Sequence, residues 1–134
     1  TLVFTNGCFD LLHPGHIHTL DESAKLGQIL VVGLNSDSSV RRIKGTGRPV
    51  DNLDTRVAKL AAIDAVDFVV VFEEDTPLSL IEMLKPDILV KGGDYTMDRI
   101  VGREIVESAG GRVVTVPFLE GHSTTVQLSS RARG

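Results

Sequence analysis

Sulfur and aromatic side chains are scarce in this sequence, and their scarcity excludes several classes of protein. The 134 residues include one cysteine, Cys8, and no tryptophan. A single cysteine cannot form an internal disulfide framework or a cysteine-based zinc site, and it fits a reducing cytoplasm. No apolar run approaches the roughly 20 residues of a membrane span, and no signal-peptide pattern opens the chain. We therefore expect a cytoplasmic protein with no membrane partner.

A strong excess of charge of one sign is also lacking. The chain has 14 Lys and Arg against 18 Asp and Glu, a formal net charge of −4. This balance gives no electrostatic support for general nucleic-acid binding, so we expect no nucleic-acid partner. An anionic ligand has to be bound by local groups rather than by a global field. The apolar fraction of 42% is that of a globular protein, and the length suits one domain over residues 1–134.

Short apolar runs alternate with stretches of helical periodicity along the chain. The runs predict strands over residues 1–5, 29–34, 68–72, 88–90 and 113–116. The periodic stretches predict helices over residues 16–26, 36–44, 53–63, 77–84, 98–109 and 123–131. Gly27 is the expected C-terminal cap of the first helix, and Thr76 is the expected N-cap of the fourth. Because strands that are apolar throughout are typical of a covered parallel sheet, we predict an α/β fold: a Rossmann-like, doubly wound, five-stranded parallel sheet with helices on both faces.

The unusual polar and glycine-containing segments all follow predicted strands. They cover residues 6–16, 35–37, 73–75, 91–94 and 120–125. Doubly wound folds bind their ligands beyond the carboxyl ends of the strands. One edge of the sheet is therefore predicted to carry the functional site.

The most informative segment contains His13 and His16, three residues apart at a helix entrance, so that both imidazoles can face one site. Gly15 between them allows a ligand or backbone to approach closely. The free N–H groups of a helix N-terminus favour phosphate, and two imidazoles there can donate hydrogen bonds to a phosphoryl oxygen. The alternative is a helix start with incidental histidines. We assign no metal to this pair, since its spacing differs from the zinc-protease motif and no third ligand is evident nearby. No Gly-x-Gly-x-x-Gly sequence follows the first strand, and its absence argues against a nicotinamide or flavin site.

Four cations surround a glycine-containing loop at residues 45–47. Lys44 or Arg48 could close over phosphate groups and neutralise a leaving pyrophosphate. The alternative is a solvated basic helix face, and for Arg41 and Arg42 we prefer it.

Two further segments have both a functional and a plain structural interpretation. The glycines of the segment from Lys91 to Asp94 permit a positive-φ turn and close ligand approach, but a plain turn explains them equally well. Residues 121–125 present hydroxyls and backbone amides at a predicted helix start, which suits a phosphate or a simple N-cap. Cys8 is interpreted as a small buried residue rather than a nucleophile.

Taken together, these segments resemble the nucleotidyltransferase superfamily of the cytidylyltransferase type. Residues 7–16 match its His-x-Gly-His signature, residues 120–125 resemble its second signature, and the likeness extends over essentially the whole chain in order. Segments 4–10, 35–37, 72–77 and 89–95 are most similar to the branch that transfers AMP to heptose 1-phosphate, a domain that also forms the C-terminal half of a fusion with a sugar kinase.

The resemblance implies an enzyme that uses ATP and a sugar 1-phosphate, releases pyrophosphate and forms ADP-heptose. It assigns catalysis to His13, His16 and Lys44, and substrate binding to Lys44 and Arg48. Nucleotide contacts fall on Asn6, Gly7, Cys8, Phe9, Asp10, Gly15, Lys91, Gly92, Asp94, Gly121, Ser123 and Thr124. Asp10 is also expected to orient the histidine segment. Mg²⁺ held mainly by the triphosphate, a homodimer, and a fusion or pathway link to a sugar kinase are further expectations.

Two alternatives remain open at this point. Glycerol-3-phosphate cytidylyltransferases usually carry Arg-Thr before the second signature, where this chain has Phe118 and Leu119. The loss of that charge favours ATP over CTP, and His122 is a further departure from the signature. A cytidylyltransferase and a non-catalytic nucleotide-binding regulatory module are the alternatives to the adenylyltransferase.

Overall fold

The computed structural model describes residues 1–93 and 100–117. Its strands are β1 (Leu2–Gly7), β2 (Ile29–Asn35), β3 (Phe68–Phe72), β4 (Ile88–Gly92) and β5 (Arg112–Val116). Its helices are α1 (Pro14–Ala24), α2 (Asp37–Lys44), α3 (Leu53–Ala61), α4 (Leu78–Leu84) and α5 (Arg103–Ser108). The predicted helix over residues 123–131 lies outside the described residues, as do Asp94, Gly121, Ser123 and Thr124.

The strands form one five-stranded sheet in the order β3-β2-β1-β4-β5. Every pairing is parallel: β1 pairs with β2 and β4, β2 with β3, and β4 with β5. This arrangement confirms the predicted Rossmann-like sheet. Strand order reverses between β1 and β4, so their carboxyl ends flank the crevice where such sheets bind ligands.

Side chains from both faces of the sheet are buried under helices. In β1, the neighbouring Val3 and Phe4 are both fully buried and belong to different core clusters. Val3 packs in the cluster that contains Leu20 of α1 and Leu60 of α3. Phe4 packs in the cluster that contains residues of α4 and α5. Because successive side chains of a strand point to opposite faces, both faces of the sheet are covered, as predicted.

Several caps and helix starts differ from the sequence predictions. The prediction that Gly27 caps α1 was wrong: the C-cap is Lys25, and a Cβ at Gly27 would lie 2.7 Å from the carbonyl oxygen of Thr1. The glycine at position 27 therefore allows the backbone of Thr1 to approach closely. α5 begins at Arg103, after Gly102 with a left-handed φ of 89°, whereas the sequence prediction placed residues 100–102 in this helix. The N-cap of α4 is Pro77 rather than Thr76.

Within the described residues, no helix is long and apolar enough to cross a membrane. The organisation of residues 1–134 as a single domain stays a prediction.

Candidate active site

A cavity of about 380 Å³ opens at the carboxyl edge of the sheet, beside the ends of β1 and β4. The end of β1 and the loop after it contribute the cavity-lining residues Asn6, Gly7, Cys8 and Phe9. Two cations, Lys44 and Lys91, also line it. A smaller cavity of about 160 Å³ shares Asn6, Gly7, Phe9 and Lys91 with the first and is also lined by His16 and Gly92. The structure thus brings together residues of segments 6–16 and 91–94 with Lys44 at the end of α2, at the edge that the sequence predicts.

The two histidines form a reciprocal cap at the N-terminus of α1. Nδ1 of His13 accepts a hydrogen bond from the backbone N–H of Gly15 (3.1 Å), and Nδ1 of His16 accepts one from the backbone N–H of His13 (3.3 Å). In a capping box these positions are usually held by Ser or Thr and by Glu or Gln. An imidazole whose Nδ1 accepts a hydrogen bond is neutral and carries its proton on Nε2. The helix terminus therefore fixes the same tautomer in both rings.

His16 is held between two other rings. Its imidazole stacks on that of His13 with ring centroids 3.8 Å apart, and Phe9 meets it edge-on with centroids 5.4 Å apart. Burial, together with the neighbouring His13 and Lys44, lowers the pKa of His16 from 6.5 to about 4. His16 is thus a neutral hydrogen-bond donor at physiological pH.

The cations at the cavity differ in their surroundings. Lys44 is the last residue of α2 and is exposed. Lys91 in β4 is half-buried, and burial lowers its pKa while the nearby Cys8 opposes this shift. Cys8 is half-buried rather than buried, and burial raises the pKa of its thiol although Lys44 and Arg56 oppose the change. A raised thiol pKa disfavours the thiolate, in keeping with the interpretation that Cys8 is not a nucleophile.

Asp10 and Arg48 contact each other. The carboxylate of Asp10, with a side chain 1% exposed, accepts hydrogen bonds from Nε of Arg48 (2.8 Å) and from the backbone N–H groups of Val50 (2.8 Å) and Asp51 (2.9 Å). Burial raises the pKa of Asp10, but these hydrogen bonds and the guanidinium charge outweigh it and hold the pKa at about 2. The described contacts of Asp10 therefore brace the loop before α3 rather than the histidine segment. Neither side chain lines the 380 Å³ cavity.

The glycines of the sequence motifs serve different purposes. Gly93 has a φ of 96°, which confirms the expected positive-φ turn after β4. At Gly92 a Cβ would lie 2.8 Å from the hydroxyl oxygen of Thr19. The absence of a side chain at Gly92 therefore allows α1 to pack closely against β4, besides leaving space for a ligand. Gly15 is buried in the first turn of α1, where its N–H holds His13.

Sequence reasoning missed Arg56, which is 1% exposed and donates hydrogen bonds to the carbonyl oxygen of the cavity-lining Cys8 and to three other groups. The sequence did contain a signal for Arg56, because this residue lies three positions after Leu53 and four before Leu60, on the apolar face of the predicted helix. An arginine on such a face requires buried partners.

Among the residues that the structure describes, no group of three or more His, Cys, Asp and Glu side chains is placed to hold a metal ion.

The doubly wound parallel sheet carries the stacked His-x-Gly-His imidazoles at its carboxyl edge, beside an open cavity lined by two lysines. Residues 4–131 match the cytidylyltransferase-like family, and the chain belongs to that family. It is 60% identical over 124 residues to the bifunctional protein HldE of Geobacter sulfurreducens, covering 92% of this chain and 25% of that protein. It is also 60% identical over 131 residues to the bifunctional protein HldE of Bradyrhizobium diazoefficiens, covering 98% of this chain and 26% of that protein. The chain thus spans about a quarter of the length of these relatives.

Solved structures agree on the fold. The crystal structure of the lipopolysaccharide core biosynthesis protein from Thermoplasma volcanium is 32% identical with a TM-score of 0.71, covering 88% of this chain and 95% of that one. The pantoate-beta-alanine ligase of Francisella tularensis is 14% identical with a TM-score of 0.61, covering 87% of this chain and 59% of that one, and shows the fold alone.

Proposed function

We propose that this chain transfers AMP from ATP to heptose 1-phosphate, releasing pyrophosphate and forming ADP-heptose. The observation that carries the proposal is the pair of stacked imidazoles of His13 and His16 next to a cavity lined by Gly7, Lys44 and Lys91. This set of groups suits a reaction at a phosphoryl centre, because it supplies hydrogen-bond donors and positive charge without a strong base.

The proposed reaction is a single in-line displacement. A phosphate oxygen of the sugar 1-phosphate attacks the α-phosphorus of ATP, a new P–O bond forms, and the bond from the α-phosphorus to the bridging oxygen of the leaving group breaks. Pyrophosphate leaves with that electron pair. The attacking oxygen is already anionic, so no proton has to be removed. Catalysis then consists of positioning and of stabilising the charge that develops on the α-phosphoryl oxygens.

His13 and His16 are the proposed donors to those oxygens. Both Nδ1 atoms accept backbone hydrogen bonds, so both rings carry the proton on Nε2. A neutral Nε2–H group can strengthen its hydrogen bond as negative charge grows, and the low pKa of His16 keeps it in this form across the physiological range.

Positive charge in the proposed site comes from lysines and from the metal that the nucleotide carries. Lys44 is proposed to neutralise the triphosphate and the sugar phosphate, and Lys91 to contact the nucleotide from β4, both from positions on the cavity wall. Mg²⁺ enters as part of the substrate, bound mainly through phosphate oxygens. Gly121, Ser123 and Thr124 are proposed to hold the triphosphate, and Asp94 to contact the nucleoside.

The sugar acceptor and ATP rest on the sequence and its relatives. The solved relative from Thermoplasma volcanium is described as a lipopolysaccharide core biosynthesis protein, which supports a sugar acceptor. HldE is described as bifunctional, which supports a link to a second activity; we propose a sugar kinase. Phe118 and Leu119, in place of Arg-Thr, support ATP rather than CTP.

A homodimer is part of the proposal, and β3 supports it. This strand is an edge of the sheet, with Phe68 58% exposed and Val71 40% exposed. Light scattering on the wild type and on Phe68→Glu tests the homodimer: a dimer that dissociates in the variant is the expected result.

A cytoplasmic location is also proposed, in keeping with the free thiol of Cys8 and with ATP as substrate.

The test is pyrophosphate release with Mg²⁺ in mixtures that combine ATP or CTP with heptose 1-phosphate or glycerol 3-phosphate. Release only with ATP and the heptose phosphate is expected. Release with CTP and glycerol 3-phosphate would retain the proposed chemistry but replace the substrates. Nucleotide binding without release in any mixture would instead identify a regulatory module.

A further inference from the structure

Arg56 on α3 is a fully buried arginine whose side chain joins separate segments at the carboxyl edge of the sheet. Its Nη1 donates to the carbonyl oxygens of Cys8 (2.9 Å) and Asn35 (2.7 Å). Its Nη2 donates to Oδ1 of Asp37 (2.6 Å), and its Nε donates to the carbonyl oxygen of Asp51 (3.0 Å). These acceptors belong to the loop after β1, the end of β2, the first turn of α2 and the loop before α3.

We propose that Arg56 is a positioning residue of the active site. It fixes the position of the cavity-lining backbone at Cys8 relative to α2, the helix that carries Lys44. The proposal rests on the proposed function for its reaction but on the observed contacts for its geometry. Arg56 itself does not line the cavity, so it acts through the groups that it holds.

The first of these groups is the peptide at Cys8. Cys8 lines the cavity together with Gly7 and Phe9, and its carbonyl oxygen is fixed by the Arg56 guanidinium. Fixing that carbonyl limits rotation of the neighbouring peptides, which are proposed to face the phosphates. Phe9, with a left-handed φ of 48°, lies next in the chain and contacts the ring of His16. A loop in this conformation needs external support, because a bulky residue at positive φ is strained.

The second group is α2. Asp37 in its first turn accepts a hydrogen bond from Arg56, and Lys44 is its last residue. A helix is a rigid spacer, so an anchor at one end sets the position of a side chain at the other. Arg56 thus connects the cationic wall of the cavity to the backbone wall.

Only arginine can make this set of contacts. A guanidinium presents N–H donors in a planar fork, whereas a lysine ammonium is a single point and cannot reach four acceptors on separate segments. The buried charge is paired with one carboxylate, Asp37, whose side chain is 40% exposed. Burying a charge with a single charged partner costs free energy of folding. A role in positioning the site accounts for an arrangement that stability alone does not favour.

A double-mutant cycle between Arg56→Lys and Lys44→Ala tests the proposal. Each variant is measured for turnover at saturating substrates and for binding of Mg²⁺-pyrophosphate, a probe that does not depend on the base or the sugar. We expect Arg56→Lys to weaken both by at least about tenfold per folded molecule, because small misplacements at a reacting centre are costly. In the Lys44→Ala background this effect is expected to shrink by at least about threefold, since coupled residues are not additive.

Arg103→Lys is the matched control, because Arg103 bonds to the exposed Glu107 one helical turn away and should leave both measurements unchanged. If Arg56→Lys does not fold, Asp37→Asn replaces it in the cycle, with Asp54→Asn as control; both aspartates lie in the first turn of a helix.

The outcomes distinguish a failure of the Arg56 inference from a failure of the proposed function. A fall in melting temperature with unchanged binding and turnover per folded molecule, or effects that simply multiply in the cycle, would make Arg56 a purely structural residue and overturn the inference. Wild-type protein that binds pyrophosphate with the expected coupling but shows no turnover would overturn the proposed function and leave the inference standing. Wild-type protein that does not bind pyrophosphate would overturn both.

Discussion

The imidazoles of His13 and His16 stack with centroids 3.8 Å apart and planes inclined by 27°. Each accepts a backbone hydrogen bond at the N-terminus of α1, His13 from Gly15 and His16 from the N-cap residue His13. The same contacts that cap the helix therefore orient the rings and fix their protons on Nε2. Helix capping and the proposed catalysis are thus functions of the same two side chains, and variants have to separate them.

His16→Gln separates capping from catalysis. A glutamine at this position can still accept the backbone N–H of residue 13 through its amide oxygen, as in an ordinary capping box. It has no ring to stack on His13, and its flexible amide N–H₂ does not take the place of the fixed imidazole Nε2–H. We expect kcat to fall by roughly 10²–10³, in line with the loss of one donor to a developing charge, with little change in melting temperature. His18→Gln, on the same helix, is the matched control and should retain full activity. An unchanged kcat in His16→Gln would remove this residue from the mechanism.

The low pKa of His16 predicts how stability depends on pH. Its folded-state pKa of about 4 lies below its ordinary value of 6.5. Between these values the unfolded chain takes up a proton that the folded chain refuses, so the free energy of unfolding should decrease as pH falls from 6.5 towards about 4. Urea titrations across this range should show a shallower decrease for His16→Gln than for the wild type. Parallel curves would contradict the assigned pKa.

Asp10→Asn tests the brace between Asp10 and the loop before α3. The substitution replaces one acceptor oxygen with an amide that faces donors, so we expect a loss of about 2 kcal/mol of stability in urea unfolding. The carboxylate contribution should be full above pH 3.8 and be lost as pH falls towards about 2, because the folded-state pKa is depressed. Asp21→Asn on the exposed face of α1 serves as control. Equal stability of the two variants would show that the brace contributes little.

Lys44→Ala should impair substrate use without harming the fold. Lys44 is exposed at the end of α2, so its removal is expected to change stability by no more than about 0.5 kcal/mol. The loss of a charged contact to phosphate is expected to lower kcat/KM for the nucleotide by about 10–100-fold. Lys25→Ala, which removes an exposed lysine of α1's C-cap, is the comparison. A large fall in melting temperature with unchanged kcat/KM would indicate a structural role instead.

Sequence reasoning predicted the sheet well because its signal is local. The run at residues 68–72 coincides with β3, since a short apolar stretch between polar segments has few other solutions. Gly27 shows where local reasoning fails: a glycine after a helix is usually a cap, but the contact with Thr1 that requires it here depends on the packing of the whole chain.

The site was predictable in its composition but not in its internal contacts. The His-x-Gly-His spacing marked His13 and His16 correctly as neighbours on one helix end. Asp10, by contrast, bonds to residues 48–51, about forty positions along the chain, and no local pattern indicates such a partner. Arg56 was visible as a charge on an apolar helix face, yet its acceptors are mostly backbone carbonyls, which have no sequence signature.

The most direct test of the central claim is to identify the product by ³¹P NMR after incubating the protein with Mg²⁺, ATP and heptose 1-phosphate. The account predicts equal amounts of pyrophosphate and of a nucleoside diphosphate sugar, with formation of both slowed by roughly 10²–10³ in His16→Gln. Folded protein that binds ATP but forms neither product, or that forms both equally fast without the His16 imidazole, would contradict it.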